Sequence, residues 1–273
     1  MNTIKSLGLA GLAAAALLAF PAFATPVTCP AGFQGSPTCI ATSNGFGEPT
    51  LAQLLGPAGT PDSIFSSGPG VDPYTQQVQT PFWAVDASSG SVASVLLQLT
   101  SGQNNFTYGI FDPTDPNNKL ALFTDAHNGA QVTLSVYVNG GYSVDGGNTI
   151  DHFGTPTHFG YYLMTSNGTT FYSLPTLNGN GDTRMVAFEG TDGPNQSVVA
   201  PGVGGSGLRG GPFVSNEFIQ GWEDGGDFDY QDYVVLVSDV RPVPEPAALG
   251  MFGLGVLLIG GFVVLRRRRE GTA

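Results

Sequence analysis

Apolar positions are distributed differently at the two ends and in the middle of the chain. Leu7 to Phe20 is an apolar run without a charge, preceded by Lys5, and Ala247 to Leu265 is a longer one, followed at once by Arg266, Arg267, Arg268 and Arg269. Between them lie short runs cut by Gly, Pro and Asn. Ser91–Thr100 (SVASVLLQLT), Gln131–Val138 (QVTLSVYV), His158–Thr165 (HFGYYLMT) and Tyr230–Val240 (YQDYVVLVSDV) are β-branched and aromatic and have strand length. Asn139-Gly140 parts QVTLSVYV from Tyr142–Val144, and Asn167-Gly168 parts HFGYYLMT from Thr169–Leu174. Both residues of an Asn-Gly pair tolerate positive φ, so each pair predicts a hairpin. Only Pro49–Leu55 has helical spacing, enough for one short helix. Many short strands without long amphipathic helices predict an all-β fold, an antiparallel β-sandwich of jelly-roll type, with an open barrel as second choice.

The two apolar ends divide the chain. Residues 1–24 form a signal peptide: Lys5, the apolar run, then Ala22-Phe23-Ala24, the small-x-small pattern read by signal peptidase. Cleavage falls between Ala24 and Thr25. Residues 247–265 are about 19 residues without a charge, and at ~1.5 Å per residue reach ~28 Å, the thickness of a bilayer core. Basic residues beside a membrane span stay on the cytoplasmic side. Arg266–Arg269 therefore face in, from a tail of residues 266–273, and the body faces out. Residues 25–75 are a Gly/Pro-rich segment carrying the short helix, 76–240 the β-sandwich, and 241–246 a linker to the membrane helix. The inner membrane is thus the first partner, and the cell envelope the compartment.

Charge narrows the partners. From Thr25 to Val240 there are 19 Asp and Glu against Lys119, Arg184 and Arg209, a net charge near −16. Such a body cannot neutralise phosphates, which excludes nucleic acid. It suits a soluble surface protein or one that uses divalent cations to relieve its own repulsion. Cys29 and Cys39 are the only cysteines. In an oxidising compartment they form a disulfide, whose short loop adds about 2–3 kcal/mol on chain-entropy grounds.

The densest candidate chemistry is Gly221–Tyr233 (GWEDGGDFDYQDY), with Glu223, Asp224, Asp227, Asp229 and Asp232 around a Gly-Gly turn. On an extended segment Asp227 and Asp229 would share a face. Carboxylates and turn carbonyls together offer the hard oxygens that Ca²⁺ takes. Gln231 stands where an EF-hand loop would carry a third acidic or amide ligand, no Gly follows it and no helices flank the turn, so a calcium site here is of another kind. Two other readings stay open: a structural turn whose carboxylates accept from loop amides, and a carboxylate pair for glycoside hydrolysis. His127, His152 and His158 are scattered and no G-x-S-x-G occurs, so nucleophilic catalysis has no constellation. Gly202–Gly211 contains a formal G-x-G-x-x-G, but Pro201 precedes it and Pro212 follows closely, so it is a loop.

Val243-Pro244-Glu245-Pro246, the apolar run and the four arginines together resemble the PEP-CTERM sorting signal of Gram-negative bacteria that make exopolysaccharide. The resemblance implies recognition by an exosortase, an integral membrane cysteine transpeptidase, then removal of the helix and transport to the cell surface or extracellular matrix, where exopolysaccharide becomes a partner. Thr50 to Val240 is similar to an exported domain of unknown function found with this signal, through Phe106–Phe111, Asn118–Phe123, Phe159–Leu163, Met185–Phe188 and the acidic block Trp222–Asp232. Gln231 departs from it, since Asn is usual there. That domain brings no activity with it. The expectation is a non-enzymatic surface or matrix protein with Ca²⁺ at the acidic block, and a secreted hydrolase is the alternative.

Overall fold

A computed structural model describes residues 28–43, 47–86, 91–98, 106–125, 130–137, 140–147, 151–154, 158–193, 195–198 and 211–244. The predicted signal peptide (1–24, with Ala24 and Thr25), Glu245 and Pro246, the predicted span 247–265 and Arg266–Arg269 lie outside them, as do His127 and residues 202–210. No helix among the described residues is long and apolar enough to cross a membrane.

The strands are β1 (Phe33–Gln34), β2 (Ile40–Ala41), β3 (Phe65–Ser67), β4 (Gln77–Val78), β5 (Phe82–Val85), β6 (Ser91–Gln98), β7 (Thr107–Asp112), β8 (Asp115–Thr124), β9 (Gln131–Val136) and β10 (Gly141–Val144). They continue as β11 (Asp151–His152), β12 (Phe159–Met164), β13 (Thr170–Tyr172), β14 (Met185–Glu189), β15 (Ser197–Val198), β16 (Gly211–Pro212), β17 (Glu217–Trp222), β18 (Tyr233–Ser238) and β19 (Val240–Val243). The single α-helix among the described residues, α1 (Leu51–Leu54), lies within the predicted Pro49–Leu55. Thr50 caps it: its Oγ1 accepts from the Gln53 amide, and the Gln53 side chain accepts from the Thr50 amide.

The fold is all-β and antiparallel, as the pattern predicted. An eight-stranded sheet runs β11-β10-β9-β6-β18-β17-β14-β4, and a second sheet runs β19-β5-β12-β7-β8 with β13 joined to β12. The β12–β13 hairpin turns at Asn167-Gly168, where Gly168 has φ +85° and the Asn167 side chain accepts from the Thr169 amide. Inward residues of the two sheets share one apolar cluster. Its rings meet across the sheets: Trp83 on β5 lies 4.8 Å from Phe218 on β17, and Tyr108 on β7 lies 6.0 Å from Trp222. Offset and edge-on ring pairs of this kind add to the area they bury.

The middle of the larger sheet is covered on its other face too. Phe218, Trp222, Tyr233, Val235, Val237 and Ala187 face the first cluster, while the alternate residues Val186, Phe188, Ile219, Val234 and Leu236 pack with Leu51, Leu54, Leu55, Ile64 and Phe65. Side chains alternate along a strand, so two covered faces leave every residue of β17 and β18 buried. Cys29 and Cys39 are joined by a disulfide, Cα atoms 5.6 Å apart, with the β1–β2 pair beside it.

Candidate functional site

β17 and β18 are consecutive antiparallel strands, and the chain between Trp222 and Tyr233 is the acidic turn. It is not extended. Phe228 and Tyr230 have φ +57° and +58°, a left-handed conformation that bulky residues seldom adopt. Those two reversals fold the turn inward and give the carboxylates different fates.

Glu223, Asp227 and Asp229 come together, one oxygen from each lying within 4.8 Å of the others. Glu223 and Asp229 are buried and Asp227 is exposed. Glu223 accepts from the Gly225 amide at 2.8 Å and the Tyr230 amide at 3.5 Å. Asp232 and Asp224 make a separate contact, in which the Asp232 carboxylate accepts from the Asp224 amide at 2.8 Å. Burial, then the charges of Asp227 and Asp229, push the Glu223 carboxyl up to about 7. Burial and Asp227 push Asp229 up to about 6. Asp232 rises to about 9, mainly through burial. A carboxylate group held this way takes up either protons or a cation.

Four residues outside the predicted carboxylate set complete the surroundings. Gln231 is fully buried, and its amide nitrogen donates to Asp229 at 2.9 Å and lies 3.4 Å from Glu48, while its Oε1 has no partner. Glu48 comes from the segment before α1, far away in sequence, and nothing local marks it. Arg184 pairs with Asp182 at 3.3 Å, donates to the Gly225 carbonyl, and sits 5.1 Å from the rings of both Phe171 and Phe228. A signal for Arg184 was available: it is one of three cations in a body with 19 carboxylates, and such a residue is expected beside acid. Tyr230 donates to the Thr183 carbonyl at 2.8 Å, which ties the turn to the approach to β14.

The histidines form no site among the described residues. His158 packs its ring 5.5 Å from Phe82, and burial lowers its pKa, whereas His152 lies on β11.

The second functional region is the C-terminal strand. Within the segment 241–246, Arg241–Val243 is part of β19, which pairs with β5 in the register Val240–Val85, Arg241–Ala84, Pro242–Trp83 and Val243–Phe82. The Thr80 hydroxyl lies 3.0 Å from the Val243 carbonyl, and Pro244 lines a cavity of about 400 Å³.

No curated protein and no solved structure matches the chain. Residues 242–269 match the PEP-CTERM protein-sorting motif, a span that opens inside β19 and runs to the last of the four arginines. The chain therefore carries a PEP-CTERM sorting signal, which marks it as an exported protein targeted by an exosortase.

Proposed function

We propose that this chain is a non-enzymatic surface or extracellular-matrix protein whose β-sandwich body is stabilised by Ca²⁺. Signal peptidase cuts between Ala24 and Thr25, residues 247–265 hold the body at the inner membrane with Arg266–Arg269 inside, and an exosortase then releases it. The sorting motif over 242–269 carries this route.

Ca²⁺ fits the acidic turn. Glu223, Asp227 and Asp229 supply three hard oxygens, and turn carbonyls and water complete the six to eight that the ion takes. The Gln231 Oε1 atom, buried and without a partner, is the supporting observation from a neutral group. An unmatched acceptor costs about 1–3 kcal/mol in the interior, and rotation of the amide would turn this oxygen toward a cation beside Asp229. A body with net charge near −16 repels acidic polysaccharide, so divalent ions are also the natural bridge to an anionic matrix.

Thermal melts of the folded body in EGTA and in millimolar Ca²⁺ test this. The reading expects a higher Tm with Ca²⁺ in the wild type and no shift in Glu223→Gln or Asp229→Asn. Equal melts in the wild type would end it. A hydrolase remains the second reading because the raised Glu223 carboxyl has the character of a general acid near neutrality. Its full burial keeps it from a sugar at the surface, and glycan turnover unaffected by Glu223→Gln would close that alternative.

A further inference from the structure

The acidic turn is held from the side by the segment that carries the disulfide. Phe228 stands between Asp227 and Asp229 with φ +57°, and its carbonyl accepts from the Ala41 amide at 2.9 Å. Ala41 ends β2, two residues after Cys39. Its neighbour Ile40 is fully buried in the same apolar cluster as Tyr230. Phe33, Pro37 and Cys39 line one cavity of about 340 Å³ together with Phe228 and Tyr230. Further along the same segment, Glu48 lies 3.4 Å from the side-chain amide of the buried Gln231.

We propose, on the calcium reading of the turn given above, that closing the Cys29–Cys39 disulfide sets its calcium affinity, so that oxidation after export completes the site. A left-handed aromatic residue is unfavourable and persists where its surroundings over-determine it. The Ala41 amide is such a constraint. By fixing the Phe228 carbonyl it fixes the peptide plane that leads into Asp229. The carboxylates on either side of Phe228 are two of the three that come together with Glu223. Gln231, whose buried Oε1 has no partner, follows two residues after Asp229 and donates to it at 2.9 Å.

β2 lies between the turn and β1. Successive amides point opposite ways: Ala41 donates to Phe228, and Thr42 donates to the Gly32 carbonyl at 2.9 Å. Ile40 and the bonds from Gln77 to the Thr38 amide and carbonyl place β2 on the body. The outer strand has no such support. From Thr28 to Cys39 no residue is buried, and β1 and β2 share two residue pairs, too short a ladder to hold by itself. Cys29 is also four residues from the proposed new terminus at Thr25, and chain ends are loose unless tied. The disulfide is the tie. Closing it is an oxidation in which the two thiols give up two protons and two electrons to a disulfide oxidant of the export compartment, which departs as a dithiol. In the reduced chain β1 frays, β2 loosens, and Phe228 loses the partner that holds its conformation. Linkage makes the coupling reciprocal: the factor that the disulfide adds to calcium affinity, calcium adds to the resistance of the disulfide to reduction.

Calcium titration calorimetry on the full-length chain in detergent tests this. The oxidised wild type should bind roughly fivefold more tightly than Cys29→Ser/Cys39→Ser, the factor that one hydrogen bond is worth. Ala41→Pro keeps the disulfide and removes the amide from which Phe228 accepts, a change that a short exposed ladder tolerates. Its affinity should fall as far, which general stiffening by the disulfide would not produce. A measurement on the wild type alone decides the matter if either variant fails to fold. Equilibrated with reduced and oxidised dithiothreitol, the disulfide should need a roughly fivefold higher reduced-to-oxidised ratio for half opening in saturating Ca²⁺ than in EGTA. Glu223→Gln should abolish that difference. Wild-type affinity in both variants, or a reduction midpoint that calcium leaves unmoved, would overturn the proposal. An oxidised wild type that binds no calcium would instead remove the calcium reading itself, and this coupling with it.

Discussion

Gly221 is the last residue before Trp222 in β17, and the close approach of the acidic turn requires it. A Cβ there would lie 2.4 Å from the Tyr230 carbonyl oxygen, a backbone atom that cannot swing aside. Gly221→Ala must displace Tyr230 and with it the Glu223 contacts, at an expected cost of about 2 kcal/mol or more. Gly226, in the same turn, meets nothing within 4 Å. Denaturant midpoints of the two alanine variants check this, and equal values would mean that the turn adapts freely. The carboxyls set a second expectation. Glu223, Asp229 and Asp232 are raised to about 7, 6 and 9, against about 4 in an unfolded chain. Between those values the folded state holds more protons than the unfolded one, so stability falls as pH rises. In calcium-free buffer the urea midpoint should be higher at pH 5 than at pH 8. Ca²⁺ should flatten the difference, because the cation replaces the protons. A midpoint that climbs from pH 5 to pH 8 without calcium would sink this account of the turn.

The N-terminal layer supports the larger sheet. Leu54 on α1 is buried against the outer face of that sheet, in the cluster that contains Phe188 and Leu236. Leu54→Ala should cost about 2–5 kcal/mol, with one cooperative transition for the whole body. A separate early transition would show that the layer unfolds by itself. Much at this level is legible in the sequence. Valine-rich and tyrosine-rich runs mark strands, Asn167-Gly168 marks its turn, and Pro49–Leu55 marks the helix, because each signal is local. Pairing is not local. β18 sits between β17, its neighbour in sequence, and β6, more than 130 residues earlier. The acidic turn shows the same division. Its five carboxylates stand out as a cluster, and the expectation that Asp227 and Asp229 would share a strand face fails at the two left-handed aromatics. Asp227 and Asp229 still meet, with Glu223, through the turn's inward fold, while Glu48 reaches the site from another layer.

Charge orders the molecule along the membrane normal in the proposed route. The body carries a net charge near −16, whereas the residues after the apolar C-terminal run begin with four arginines. Moving those guanidinium groups through lipid would cost about 2.5–3.5 kcal/mol each at the bilayer centre, and the positive-inside rule places them in the cytoplasm. Lys5 ahead of the first apolar run gives the same direction at the start of export. A reporter active only in the cytoplasm, inserted after Thr25, should therefore be silent, and the same reporter joined after Ala273 should be active while the precursor is anchored. Replacing Arg266–Arg269 with serine should weaken the second signal without waking the first, since the amino-terminal segment commits the body to export before the arginines are made. Activity from the reporter behind Thr25 would place the body in the cytoplasm. There the Cys29–Cys39 disulfide would be reduced, an exosortase acting outside would never meet Pro244, and the low calcium of that compartment would leave the acidic turn to its protons.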